Sequence, residues 1–277
     1  TDSEGNAVVN SYRSGESSLG EVTLETGGTY SMSISGYDME TGTYRIQTWL
    51  VPEPDAFEIQ IGDSIAAKVT GQGAGTIESP GVTDIYTFTA QPGQKMFIHI
   101  PASELTLLCI LTDAEGNIVV NSYRTGESSL GVVTLESGGA YTLRISGYGM
   151  ETGTYRLQTW LVPEPDHFDI AVGDTIAEET TGVGAGNIES PGTVDSYSFS
   201  ALAGQAINIE LIESDLTLLC TLTDSDGNVV FSSYRSGASA VWSGTLSAEG
   251  AYTLTIVGYD LETGPYRFVL QATDQTR

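Results

Sequence analysis

Thr112-Asp113-Ala114-Glu115-Gly116-Asn117, with the run Ile118-Val119-Val120-Asn121-Ser122-Tyr123-Arg124 behind it, decides how this chain is built. The hexapeptide occurs earlier as Thr1-Asp2-Ser3-Glu4-Gly5-Asn6 and later as Thr223-Asp224-Ser225-Asp226-Gly227-Asn228, each copy 111 residues from the last. Residues 1–70 and 112–181 are identical at about three quarters of their positions. A period of 111 residues is too long for a solenoid unit, which needs its neighbours to fold, and long enough for an independent domain. Outward from the hexapeptide the side chains alternate. Met96, Ile98 and Ile100 share one face of a strand, and Tyr141-Thr142-Leu143-Arg144-Ile145 alternates cleanly. Leu105 to Leu111 is apolar on nearly both faces and reads as a central strand. Such runs give roughly eight or nine short strands per repeat, separated by Gly-rich turns, and none keeps a helical period. The expected fold is all-β, a series of antiparallel, jelly-roll-like β-sandwiches.

The repeat sets the boundaries. Thr1 falls in mid-repeat, so residues 1–51 read as the C-terminal half of a sandwich. Complete repeats follow at 55–162 and 166–277, the last one divergent. The half repeat implies that the chain is a window of a longer protein or that another chain completes it. Pro52-Glu53-Pro54 and Pro163-Glu164-Pro165 connect the repeats, and Pro-x-Pro favours a stiff, extended connection. Trp49 and Trp160 precede these connectors, and the third repeat has Gln271 in that place. A Trp kept only where a repeat follows points to a junction contact, so Trp49, Pro52, Pro54, Trp160, Pro163 and Pro165 are the expected interdomain set. In the third repeat Glu127-Ser128-Ser129-Leu130-Gly131 becomes Ala238-Ser239-Ala240-Val241-Trp242. Val241 and Trp242 are read either as a terminal cap or as a contact for a partner or a neighbouring subunit.

Ten Lys plus Arg stand against 36 Asp plus Glu, a formal charge of −26. Nothing here could neutralise a phosphate backbone, so nucleic acid is excluded as a partner. Anionic membrane surfaces are equally disfavoured, and no apolar run approaches the ~20 residues that cross a bilayer. With 40% hydrophobic residues the chain buries cores and is not an acidic disordered tail. The charge suits cation binding, high ionic strength or an extracellular setting.

Read in order, one repeat gives Asp84-Ile85-Tyr86-Thr87-Phe88, then Ala90 to Gly93-Gln94, the Asp113-x-x-Gly116 hairpin and Gly153-Thr154-Tyr155. This order resembles the bacterial pre-peptidase C-terminal domain, with its Asp-x-Tyr-x-Phe strand, Ala-x-x-Gly-Gln turn, Asp-x-x-Gly hairpin and closing Gly-x-Tyr strand. The resemblance covers both complete repeats and the half repeat. It implies an extracellular jelly-roll sandwich, carried by secreted hydrolases or strung along surface proteins, with relatives that bind calcium or matrix polymers such as collagen. This chain departs where many members carry Asn-Asp-Asp after the hairpin: it has Asn121-Ser122-Tyr123-Arg124.

Candidate sites follow from these readings. His99 and His167 have no repeat counterparts and pair with no recurring Ser or Cys, so no catalytic residue is expected. Cys109 and Cys220 are repeat equivalents on buried strands and read as small hydrophobes. The Asp-x-x-Gly-Asn segments look like the start of a calcium loop but lack its downstream bidentate Glu, and a β-turn explains them equally well. Oxygen ligands for calcium cluster instead where each repeat begins: Glu53, Asp55, Asp63, Glu78 and Asp84, repeated as Glu164, Asp166, Asp174, Glu189 and Asp195. The recurring Arg13, Arg124 and Arg235, and likewise Arg45, Arg156 and Arg267, read as intradomain ion-pair partners in so acidic a chain, or else as arginines that reach a neighbouring molecule. The reading that joins these is a non-catalytic extracellular or cell-surface repeat protein of prokaryotic type. It is structural or adhesive, forms a rod, fibre or filament with copies of itself, and uses calcium as its one cofactor. The alternative is a module that binds extracellular matrix or polysaccharide for a secreted hydrolase.

Overall fold

The computed structural model describes residues 1–66 and 69–273. Strands begin at Asp55. Residues 1–54 carry none, although the first hexapeptide keeps its turn, with Asp2 N donating to Asn6 O at 3.0 Å. In the complete repeats the equivalents of residues 7–13 pair with a central strand, and residues 7–13 have no such strand partner among the described residues.

The first sandwich holds β1 (Asp55–Glu58), β2 (Ser64–Ile65), β3 (Thr76–Ile77), β4 (Thr83–Ala90), β5 (Gln94–Ser103), β6 (Leu107–Thr112), β7 (Ile118–Arg124), β8 (Ser128–Leu135), β9 (Gly139–Gly147) and β10 (Gly153–Val162). One sheet has the order β1-β4-β9-β6-β7. The other has the order β2-β10-β5-β8, with β3 also on β10. The second sandwich repeats this with β11 (Asp166–Asp169), β12 (Thr175–Ile176), β13 (Asn187–Ile188), β14 (Val194–Ala201), β15 (Ala206–Ser214), β16 (Thr217–Thr223), β17 (Val229–Ser236), β18 (Ser239–Thr245), β19 (Gly250–Gly258) and β20 (Gly264–Ala272). Its sheets run β11-β14-β19-β16-β17 and β12-β20-β15-β18, with β13 on β20. A single helical turn, α1 (Glu178–Thr181), precedes β13.

From β4 onward the chain changes sheet at most connections, which interleaves the two layers as in a jelly roll. Pairing is antiparallel apart from the sheet-edge pairs β1 with β4 and β11 with β14, which are parallel. The core follows the alternation. β6 buries Leu107, Cys109 and Leu111, and β16 buries Leu218, Cys220 and Leu222. Facing them in the second sandwich are Ile207, Ile209, Leu211, Phe268 and Leu270 from the opposite sheet. The chain divides into two compact units. One comprises residues 1–92, 99–128 and 137–159; the other comprises 93–98, 129–136 and 160–277.

Local chemistry explains the turns. Asp113 Oδ1 accepts Glu115 N at 3.1 Å and Asn117 N at 2.8 Å, while Asn117 Nδ2 donates to Oδ2 at 2.9 Å. Asp224 does the same for Asp226 and Asn228. These carboxylates are consumed by their own turns, as in any Asx-type turn, and the Asn partner holds each below its ordinary pKa. Among the recurring arginines, Arg267 lies 3.9 Å from Glu213 as the ion-pair expectation has it, and Arg235 instead bonds to backbone. Arg235 donates to the backbone oxygens of Tyr234, Ala240 and Val241, tying β17 to β18 at the sandwich edge.

Candidate metal centre

The centre is built on the strand beginning Asp84-Ile85-Tyr86 and its copy Asp195-Ser196-Tyr197. Period-2 geometry turns the Asp and the Tyr inward together, and all four side chains are wholly buried. Tyr197 OH donates to Asp195 Oδ2 at 3.0 Å, and Tyr266 OH donates to the same oxygen. The two phenol oxygens are 2.7 Å apart, and Gly186 N donates to Tyr197 OH at 2.8 Å. In the first sandwich Tyr86 and Tyr155 OH donate to Asp84 Oδ2 in the same way, and Gly75 N donates to Tyr86 OH at 3.0 Å. The closing Gly-x-Tyr strand thus supplies the second phenol, which the sequence reading missed. Its visible signal was the recurrence of both tyrosines with the Asp.

The other oxygen is different. Asp84 Oδ1 and Asp195 Oδ1 are buried and have no hydrogen-bond partner among the described residues. Other carboxylates face this side. Parallel pairing sets Asp166 in register with Asp195 and Asp55 with Asp84, on strands ~4.8 Å apart. Glu189 follows β13 directly. In the second sandwich one oxygen each from Asp166, Glu189 and Asp195 lies within 4.8 Å of the others. Gly184 sits against them at φ +88, and a Cβ there would stand 3.0 Å from Asp166 Oδ2 and 3.2 Å from Glu189 Oε1. Gly73 stands in the same relation to Asp55 and Glu78, where a Cβ would come within 2.3 Å of Asp55 Oδ2.

Burial, with Glu189 and Asp166 adding repulsion, pushes the Asp195 carboxyl up to about 7 against the pull of the two tyrosines. Asp84 is raised to about 6 in the same way. Glu189 is raised as well, burial first and Asp166 next among the charges. Three carboxylates drawn together, one of them with an orphaned buried oxygen, over a glycine that leaves them room, is a donor set for a hard cation. Three residues are fewer than the six to eight oxygens calcium takes, so backbone oxygens or water would complete its shell.

Of the ten acidic residues expected here, the structure brings Asp166, Glu189 and Asp195 together, with Asp55, Glu78 and Asp84 in the matching places. Asp63 and Asp174 stand elsewhere. Each accepts a backbone N–H of its own turn, Gln60 and Ala171 respectively, at 2.8 Å. Glu53 and Glu164 are exposed in the connectors and outside the group, as are Pro52, Pro54 and Pro163, while Pro165 is half-buried. Trp49 Nε1 donates to Pro80 O at 2.9 Å and Trp160 Nε1 to Pro191 O at 3.3 Å. Val241 lies in the core of the second sandwich. Trp242 stacks on Phe231 with ring centres 5.7 Å apart and covers Gly244, where a Cβ would stand 2.5 Å from the indole. Cys109 and Cys220 are wholly buried free thiols, pushed up to about 12 by burial.

No family model and no curated protein sequence matches the chain. Among solved structures it is similar to the pre-peptidase C-terminal domain of collagenase from Bacillus anthracis. The two share 17% identity over 39% of this chain and 98% of that one, with a TM-score of 0.33. That domain is of the family whose motifs the sequence resembles. The chain is also similar to the CUB1-EGF-CUB2 domains of human MASP-1/3, at 9% identity over 77% of this chain and all of that one, TM-score 0.28. The corresponding rat MASP-1 domains match at 8% identity over 78% and 100%, TM-score 0.27. Among the described residues no helix is long and apolar enough to cross a membrane.

Proposed function

We propose that this chain is a non-catalytic, extracellular or cell-surface repeat protein with a structural or adhesive role, in which copies of the chain assemble into a fibre and calcium occupies the Asp166–Glu189–Asp195 centre. One observation carries the reading. The sequence copies the linker contact along with the domain: the Trp indole meets the Pro carbonyl of the following Ser-Pro-Gly turn at Pro80 and again at Pro191. Selection on a domain alone has no reason to preserve its connector and junction. Selection on a repeating scaffold does. The non-catalytic reading is supported by the cysteines, whose raised thiol pKa is the opposite of what a nucleophile needs. The acids with the most displaced pKa values are tied to tyrosines rather than facing an open cleft.

The test is negative-stain electron microscopy of the protein isolated from its own cells, with calcium and with a chelator. Regular filaments or lattices that come apart in chelator are the expected result. Isolated particles in both conditions would sink the assembly reading and favour a matrix-binding module, for which retention on insoluble polysaccharide or collagen is the corresponding assay.

A further inference from the structure

The second compact unit contains a socket, and the third repeat has lost it. Trp160 lies flat on Phe97, ring centres 5.2 Å apart and planes 2° from parallel. Its indole N–H donates to Pro191 O. Gly192, at φ +86, is buried beside them; a Cβ there would stand 2.6 Å from Val132, 3.2 Å from Val162 and 3.5 Å from Phe97. Ser129 Oγ donates to Asp260 Oδ1 at 2.8 Å. Phe97, Val132, Trp160 and Val162 thus form a surface that receives the Ser190-Pro191-Gly192 turn of the following repeat, and Ser129 adds a hydrogen bond to the same repeat at Asp260. Ser79-Pro80-Gly81 is the same turn one repeat earlier, and Trp49 and Val51 meet it as Trp160 and Val162 meet its copy.

One period on, the five socket residues become Asn208, Ala240, Ser243, Gln271 and Thr273. The aromatic, aliphatic and hydrogen-bonding members are all gone. Within the socket, Phe97 and Val162 are only 3% and 6% exposed, while Val132 at its rim is 45% exposed. The inward neighbours stay apolar, since Met96 and Ile98 become Ile207 and Ile209 in the core. The change is therefore confined to the outward face. The receiving turn, by contrast, is kept in the third repeat.

We infer that this socket gives the array a direction and that the third repeat ends it: the repeat docks onto the one before it and offers no socket to another copy. Any assembly of whole chains then uses a different surface. The inference does not rest on the assembly reading, and isolated particles in the microscope would leave it standing.

The test puts the socket back. The full chain carrying N208F, A240S, S243V, Q271W and T273V is compared with the unmodified chain by sedimentation velocity in chelator, circular dichroism reporting the fold of each. The expected result is that the unmodified chain sediments independently of concentration. The grafted chain, which also carries Trp49→Gln and Val51→Thr to release the Gly81 turn from its own half repeat, associates, because its new socket takes that turn of another copy. Adding Gly81→Ala, which places a methyl group where the socket must close, should abolish that association. A grafted chain that stays a monomer overturns the inference. So does association that survives Gly81→Ala, which marks mere stickiness, or association of the unmodified chain that Gly81→Ala removes. The reverse exchange needs no new contact. V132S with W160Q and V162T gives the middle repeat the third repeat's residues, and amide exchange at Gly192 and Thr193 should quicken about tenfold or more. Unchanged protection there would also overturn the inference.

Discussion

Asp195 is where the chain places its least comfortable charge. Its carboxyl protonates at about 7 in the folded protein and at its ordinary 3.8 when exposed. Between these values the native state holds the extra proton, so this group's contribution to stability is full below pH 4 and is lost as pH rises through 7. Without a cation, thermal unfolding should therefore occur at higher temperature at pH 5 than at pH 8. A cation binds the ionised form and so raises the melting temperature more at pH 8 than at pH 5, with protons released on binding. Calcium titrations followed by calorimetry at both pH values check this, and equal effects would remove Asp195 from the site. The phenols are a separate matter. Tyr266→Phe deletes one donor to Asp195 and should cost about 1–3 kcal/mol in denaturant unfolding, while exposed Tyr259→Phe costs almost nothing. At this scale the sequence was only partly readable. That Asp195, Asp166 and Glu189 belong together could be guessed from their recurrence. The orphaned oxygen and the two-phenol clamp could not, because they depend on three segments meeting. Asp174 shows the opposite failure: it has the right residue type and spacing, but its carboxylate is already committed to its own turn.

The strands were legible because a sheet with one buried face imposes a period of two, and β6 and β16 obey it residue by residue. The parallel pairing of β1 with β4 was not legible, since nothing in an alternating segment records the direction of its neighbour. The hairpin turns behave as local devices. Asp224→Ala should lower stability slightly through loss of its three hydrogen-bonded groups, and should leave the calcium response unchanged. A changed calcium response would return the Asp-x-x-Gly segment to the metal question. On β18 the Trp reads as compensation. Where the middle repeat has Gly131 and buried Val133, the third has Trp242 and Gly244, so the indole occupies the space that the missing side chain leaves. Gly244→Val alone should destabilise by about 1–3 kcal/mol through overpacking, and adding Trp242→Gly should recover most of it. Simple addition of the two costs would show that the positions are independent.

Across the whole chain, 36 acidic side chains are offset by only 10 basic ones, which leaves a formal charge of −26. Sodium chloride should therefore raise the melting temperature steadily up to molar concentrations by screening self-repulsion, and a flat response would point to charges too dispersed to interact. At this scale repeat boundaries can be drawn from the 111-residue period alone. The socket was hidden, because it is spread over residues 97, 129, 132, 160 and 162 and emerges only when the fold gathers them. The parallel edge strand has one more consequence, and it is mechanical. β11 starts at Asp166, the residue directly after Pro165, so tension arriving through the connector enters the sandwich at a residue of the candidate cation site. Pulled along its length, β11 cannot peel from β14 one bond at a time; its whole ladder must slip together. A cation bridging Asp166 and Asp195 would rivet the first rung of that ladder, so that stretching in calcium meets resistance at the point where yielding would otherwise begin.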